Sequence, residues 1–185
     1  MVLTTTTTFP LGYTAPDFNL MNPLTKNMES LNELKSEKAT VVVFMCNHCP
    51  YVVHILDGLI QLANDYIPQG ISIIGINSND IINYPDDSPE NMVKLIEDYK
   101  IPFPYLFDET QEVARLFKAA CTPDFSVFDM DMCCVYRGQF DDSRPGKSEP
   151  VTGSDIRTVL DTLLLNKKIS TIQNPSMGCN IKWKQ

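Results

Sequence analysis

The sequence predicts an α/β domain in which a central mixed β-sheet is flanked by helices on both faces. Three observations carry this. Thr40 to Met45 is a β-branched and apolar run, the pattern of a central strand buried on both faces. From Asn47 to Tyr66 the positions Val52, Ile55, Leu56, Leu59, Leu62, Ala63 and Tyr66 recur at three and four, the stripe of an amphipathic helix. Ile71 to Ile76 is a second buried run, so strand, helix and strand form a βαβ crossover with a parallel pair.

The other elements follow in order. Residues 4 to 8 are threonines without a packing pattern and are read as a frayed arm or edge segment. From Ala15 the chain becomes globular. Pro16-Asp17-Phe18 opens an extended stretch, and Ser30 caps a short helix through Lys35. Pro50 falls in the first turn of the long helix, where a missing amide proton costs little. Ser88-Pro89-Glu90 supplies an N-cap, a first-position proline and a first-turn acid for a helix through Tyr99. Tyr105 to Phe107 is a short strand and Thr110 to Lys118 a helix. Phe125 to Phe128 and Cys134 to Gln139 flank Asp129-Met130-Asp131-Met132 as a hairpin. Ser154 starts a helix with Ile156, Val159, Leu160, Leu163 and Leu164 on one face, and a polar tail runs from Asn166 to Gln185. The organisation expected is an arm at 1–14, one domain at 15–165, and a tail at 166–185 packed on that domain.

Composition narrows the function. The chain has 185 residues, enough for one well-buried core. Asp and Glu outnumber Lys and Arg by 23 to 15, giving a net charge of -8, which disfavours nucleic acid and anionic membrane surfaces as partners. The first 25 residues carry no Lys or Arg and no apolar stretch of secretory type, and no run is long enough to span a bilayer. A cytoplasmic location is therefore expected. In a reducing compartment, a C-x-x-C pair among the six cysteines points to redox work or metal more than to a crosslink.

Cys46-Asn47-His48-Cys49 lies where the first buried strand runs into the long helix. There a sulfur meets free amide protons and the positive end of the helix dipole, and both favour the thiolate. Cysteines three apart on one turn lie on one face, so Cys49 can attack a mixed disulfide formed at Cys46. Cys46 is thus read as the nucleophile and Cys49 as the resolving thiol. A protonated His48 beside Cys46 would stabilise its thiolate and make the disulfide more oxidising. The span between strongly reducing and strongly oxidising protein dithiols is roughly 150 mV, about 7 kcal/mol for two electrons, more than one histidine supplies.

Strand, Cys-x-x-Cys-Pro, helix, and the later Thr122-Pro123 before a hairpin resemble the thioredoxin-like redoxins of the AhpC/TSA and TlpA/ResA type, whose opening segment Ala15-Pro16-Asp17-Phe18 also resembles. The resemblance spans Ala15 to Leu165 and implies a thioredoxin-like fold. It implies that Pro123 is a cis proline facing the dithiol and that Thr122 pairs with bound substrate; Asn47, between the cysteines, is also taken as substrate-binding. The stretch from Tyr136 to Pro145 and Gly178-Cys179-Asn180-Ile181-Lys182-Trp183-Lys184 look like an uncharacterised subgroup. Two departures stand out. Ala39 and Val43 occupy the proline and threonine positions of the P-x-x-x-T-x-x-C peroxidatic motif, and Met45 and Thr40 replace thioredoxin's tryptophan and buried aspartate. Asp80 is then a weak candidate for the proton acceptor of Cys49.

The leading expectation is a thiol-disulfide oxidoreductase acting on protein or small-molecule disulfides, recharged by a thioredoxin-like electron donor and needing no cofactor. A thiol peroxidase using Cys46 is the first alternative. A module binding Zn or Cu(I) through Cys46, Cys49 and His48 or His54 is the second, although no metal ligand is assigned. Cys121 and Cys179 are additional redox candidates, each balanced by an inert buried or surface cysteine. Cys133 and Cys134 alternate across a strand, so at most one faces the core. Arg137 and Arg144 are read as braces of the 139–150 loop, the acidic stretch Tyr84 to Pro89 as a solvated turn, and Trp183 as an anchor for the tail.

Overall fold

The computed structural model describes residues 3–6 and 10–185. Its strands are β1 (Leu3–Thr5), β2 (Asn19–Met21), β3 (Met28–Ser30), β4 (Ala39–Phe44), β5 (Ile71–Asn77), β6 (Tyr105–Phe107), β7 (Cys121–Thr122), β8 (Asp124–Asp129), β9 (Cys134–Gly138) and β10 (Met177–Asn180). The helices are α1 (Leu31–Leu34), α2 (Pro50–Tyr66), α3 (Pro89–Tyr99), α4 (Glu112–Leu116) and α5 (Ser154–Leu164).

Seven strands form a mixed sheet in the order β3-β2-β6-β5-β4-β8-β9. β4 is its centre, parallel to β5 and antiparallel to β8, and all six of its residues are buried. The pleat sends Val41 and Val43 to the face covered by α2, α3 and α5, and Val42 and Phe44 to the face covered by α1 and α4. α2 buries the seven apolar positions of the sequence stripe. It starts at Pro50 instead of Asn47, because Cys49 has extended backbone and serves as the N-cap.

α4 is shorter than the 110–118 expected, bracketed by the left-handed residues Gln111 (φ 64°) and Lys118 (φ 52°). At the 129–134 hairpin, Asp129 Oδ1 accepts the amides of Asp131 at 3.1 Å and Cys133 at 2.9 Å, closing the turn. Cys134 is buried and Cys133 half-exposed, as alternation requires.

The capping expectation at Ser30 is met by a full capping box, with Ser30 Oγ accepting the Glu33 amide at 3.3 Å and the Glu33 carboxylate accepting the Ser30 amide at 2.9 Å. Ser30→Ala is expected to cost about 0.5–1 kcal/mol and lower Tm by roughly 1–4 °C in a circular dichroism melt.

Of the two readings of residues 4 to 8, the edge segment holds for Thr4 and Thr5, which lie in the edge strand β1, while Thr7 and Thr8 lie outside the described residues. The tail contains β10, which joins β1 and β7 in a second sheet of order β1-β10-β7. β10 runs antiparallel to β7, with Cys179 opposite Thr122 and Asn180 opposite Cys121. Beyond it, Ile181 and Trp183 pack into the core on the α4 side, and the Arg115 guanidinium lies 4.5 Å from the Trp183 ring. Among the described residues no helix is long and apolar enough to cross a membrane.

Candidate active site

β4 ends at Phe44, and Met45 extends it by one bond as its amide donates to the Ile76 carbonyl at 2.9 Å. Cys46 therefore emerges at the carboxyl edge of the central strand, and Cys49 follows as the N-cap of α2. Both are buried, at 1% and 0% exposure. Facing them, the Thr122-Pro123 peptide is cis. Cys46 Sγ lies 3.4 Å from Thr122 Oγ1, and the Cys49 thiol donates to the Thr122 carbonyl at 3.1 Å. The loop before Pro123 thus touches both sulfurs.

The turn between the cysteines is clasped from below. The Asn47 amide donates to Asp87 Oδ1 at 2.8 Å, Asn47 Nδ2 donates to the Asp86 carbonyl at 2.8 Å, and Tyr105 OH donates to Asn47 Oδ1 at 3.1 Å. These bonds show Asn47 shaping the turn between the cysteines. His48 Nδ1 lies 2.8 Å from Asp87 Oδ2, an ion-pair distance without hydrogen-bond alignment, and its ring stacks on Tyr84 with centroids 5.9 Å apart.

Asp87 corrects the reading of the acidic stretch as a solvated turn, because it is fully buried. Its carboxylate also accepts Asn79 Nδ2 at 2.7 Å, and its backbone carbonyl accepts Asn77 Nδ2 at 2.8 Å. A buried acid needs partners, and these come from the turn after β4, from β5 and from the turn after β5. No sequence pattern marks it, since its neighbours Asp86 and Ser88 are ordinary turn residues. Asp80, the weak sequence candidate for the Cys49 proton acceptor, is also buried, and its carboxylate accepts from the Ile82 amide at 3.0 Å and Asn83 Nδ2 at 2.6 Å.

The electrostatics also differ from the expectation for Cys46. The sulfur at the helix N-cap is that of Cys49. Cys49 is held down to about 4, first because it accepts from the Cys46 thiol and further because Cys179 and Thr122 donate to it. Cys46 is pushed well above the ordinary thiol range, first by donating to Cys49, then by burial and by the Asp87 carboxylate. These contacts favour the thiolate at Cys49 and the thiol at Cys46. The 3.1 Å contact with the Thr122 carbonyl suits the protonated form of Cys49, and the contacts with the other two sulfurs suit the ionised one.

Removing the carboxylate tests this arrangement. Asp87 disfavours a Cys46 thiolate, so Asp87→Asn is expected to move the pH midpoint of Cys46 alkylation by iodoacetamide downward. The variant also loses about 1–3 kcal/mol of stability on urea unfolding, from poorer satisfaction of Asn79 and His48.

Cys179, on β10, is buried with its Sγ 2.9 Å from Cys49 Sγ. Cys121 Sγ lies 3.8 Å from Thr6 Oγ1 and 3.6 Å from the Pro123 carbonyl, and burial drives its thiol upward. Donor atoms of Cys46, His48 and Asp87 all lie within 4.8 Å of one another, a spacing open to a metal ion. The metal expectation had Cys49 in that set, together with Cys46 and either His48 or His54. His54 instead lines a small cleft with Tyr51, Pro123 and Phe140.

Arg137 donates to the Phe117 carbonyl at 2.7 Å and the Lys118 carbonyl at 2.8 Å, and Arg144 to the carbonyls of Asp141 at 2.7 Å and Ser143 at 2.6 Å. Arg144 braces the 139–150 loop as expected, whereas Arg137 braces the segment at Phe117 and Lys118 instead of that loop.

The comparisons with known proteins agree with this architecture. An uncharacterised conserved protein from Geobacillus kaustophilus is 55% identical with a TM-score of 0.98, over 100% of this chain and 97% of its own. A hypothetical protein from Sinorhizobium meliloti is 43% identical with a TM-score of 0.95, over 98% of each chain. The thioredoxin domain of a thiol-disulfide oxidoreductase from Bacteroides vulgatus, 18% identical, superposes with a TM-score of 0.63 over 83% of this chain and 99% of its own, which establishes the thioredoxin-like fold. No curated protein matches the chain significantly. The sequence profile of the AhpC/TSA family matches residues 11–140, and the chain belongs to that family.

Proposed function

We propose that this protein is a cytoplasmic thiol-disulfide oxidoreductase whose working pair is Cys46 and Cys49. Membership of the AhpC/TSA family supports thiol redox chemistry on disulfides or peroxides in general. The observation that carries the finer reading is the meeting of both sulfurs with Thr122, at 3.4 Å and 3.1 Å, at the edge of the central strand. Cys46 is itself buried but adjoins the half-exposed turn Asn47-His48, the side from which an incoming disulfide enters.

The reaction balances as two exchanges. Cys46, as thiolate, attacks one sulfur of R–S–S–R′; that bond breaks, R′S⁻ leaves and takes up a proton, and Cys46 holds R in a mixed disulfide. The Cys49 thiolate then attacks Cys46 Sγ, RS⁻ leaves, and Cys46–Cys49 closes. Two electrons pass to the substrate, and a small dithiol protein of thioredoxin type returns them. His48, held by Asp87 within 4.8 Å of the Cys46 sulfur, is placed to take the Cys46 proton.

The test is trapping. Cys49→Ser treated with glutathione disulfide is expected to gain one glutathione at Cys46, seen in the intact mass and in the peptide, while the wild type closes Cys46–Cys49. Absence of both products would reject the reading.

One observation favours a second reading. Cys46 is enclosed and has a hydroxyl, that of Thr122, beside it, which suits a small oxidant such as a peroxide. The Asp87 carboxylate and the absence of a threonine at Val43 oppose it. Peroxide consumption fed by a dithiol donor, measured beside insulin reduction, separates the two.

A further inference from the structure

β10 lies where anything pairing with the Thr122 edge of the dithiol site must lie. Its approach is closer than ordinary strand pairing because Gly178 has no side chain. A Cβ there would stand 2.0 Å from the Thr122 carbonyl oxygen and 2.7 Å from its carbon. This contact seats the next residue, Cys179, opposite Thr122 in the ladder, with its sulfur 2.9 Å from Cys49 Sγ. Three sulfurs therefore form one buried row, with Cys49 between Cys46 and Cys179. Packing alone does not call for this, since a small apolar side chain would fill either flank of Cys49 without a reactive group.

We infer that Cys179 is a third redox cysteine, which receives the disulfide from the Cys46–Cys49 pair by exchange at Cys49. The inference rests on the thiol-disulfide reading above. Once Cys46–Cys49 has closed, Cys179 Sγ attacks Cys49 Sγ; the Cys46–Cys49 bond breaks and the Cys49–Cys179 bond forms. Cys46 leaves as a thiolate and takes up the proton that Cys179 gives up. No external oxidant enters, because the disulfide transferred is the one made in turnover. At rest, burial pushes the Cys179 thiol up to about 12, so it stays protonated and donates to Cys49 until Cys49 is oxidised. The product disulfide lies beneath β10, and the dithiol donor recharges the enzyme by reducing Cys49–Cys179.

Trypsin makes the test direct. Cys46 and Cys49 share the segment 39–94, and Cys179 lies in 169–182. The full-length protein is oxidised with glutathione disulfide, quenched in acid with a maleimide, and mapped by mass spectrometry. In the wild type a loop within 39–94 is expected first, followed by a link between 39–94 and 169–182. Cys46→Ser and Cys49→Ser each lose the link, the first because no Cys46–Cys49 disulfide forms to be passed on and the second because the receiving sulfur is gone. A wild type that closes Cys46–Cys49 but leaves 169–182 fully maleimide-labelled at every time point overturns the relay and leaves the oxidoreductase reading standing. A wild type in which neither disulfide forms rejects that reading itself. The wild-type time course decides the matter even where a serine variant fails to fold.

Discussion

Cys46→Ser is expected to lower insulin-disulfide reduction by at least about a thousandfold, the scale seen when a covalent nucleophile is removed. Two features of the site pull in opposite directions here. Acidity favours Cys49, which is held down to about 4 by the donors around it, whereas Cys46 is pushed up by burial and by Asp87. Both sulfurs are buried, at 1% and 0% exposure, but Cys46 adjoins the half-exposed Asn47-His48 turn whereas Cys49 lies beneath β10. Which sulfur reacts is set by what must move to uncover it, the Asn47-His48 turn for Cys46 and β10 for Cys49. A raised thiol gains only weakly in nucleophilicity while its thiolate fraction falls, so Cys46 reacts slowly until its proton is moved. Cys133→Ser is the control: this half-exposed cysteine on the far hairpin should leave the rate unchanged. If Cys46→Ser stays active and Cys49→Ser does not, the nucleophile is Cys49 and β10 must open before every turnover.

Gly178→Ala is expected to cost about 2–4 kcal/mol and to speed alkylation of Cys49 by about tenfold or more. The added carbon is the very atom that would stand 2.0 Å from the Thr122 carbonyl oxygen, and backbone on both sides leaves no flexible side chain to give way. β10 must lift from β7. It then loses pairing on both edges, because Leu3, Thr4 and Thr5 pair with Cys179, Gly178 and Met177 on its other side. Thermal melting reads the stability, and iodoacetamide labelling of reduced protein at neutral pH reads the exposure. Unchanged labelling with a lowered Tm would mean that some other segment covers the dithiol.

Much of this fold is legible because its strongest local patterns are also its central elements. β4, β5 and α2 are long, apolar and periodic, and each buries the residues that its period selects. The edges were harder to read. β2 and β3 have three residues each and β10 has four, in which Met-Gly-Cys-Asn shows no alternation. Such segments become strands only through partners far away in sequence, as Cys179 does with Thr122. The dithiol and the Thr122-Pro123 loop were legible for a different reason, since the identity and spacing of a few residues mark them. Asp87 was not. Charge in a run such as Tyr84-Pro85-Asp86-Asp87 ordinarily means solvation, and only the amide of Asn47 and the side chains of His48 and Asn79 convert it into a buried acid. The placement of Cys179 was hidden likewise, for a lone cysteine in a polar tail carries no sign of what it will face.

The Asn79 side chain stands between the tail and the dithiol. Its Oδ1 accepts the Lys182 amide at 2.8 Å, just beyond β10, while its Nδ2 donates to Asp87 at 2.7 Å, the acid that faces Cys46. Thermodynamic linkage gives this bridge a two-way meaning. If oxidation of the dithiol changes how firmly the carboxyl-terminal segment is held, then holding or releasing that segment must change the reduction potential by the same free energy. A protein that gripped Lys182 and Trp183 from outside would tune the sulfur chemistry without touching a sulfur, and the dithiol would report its own state to that protein through the ease with which the tail comes away.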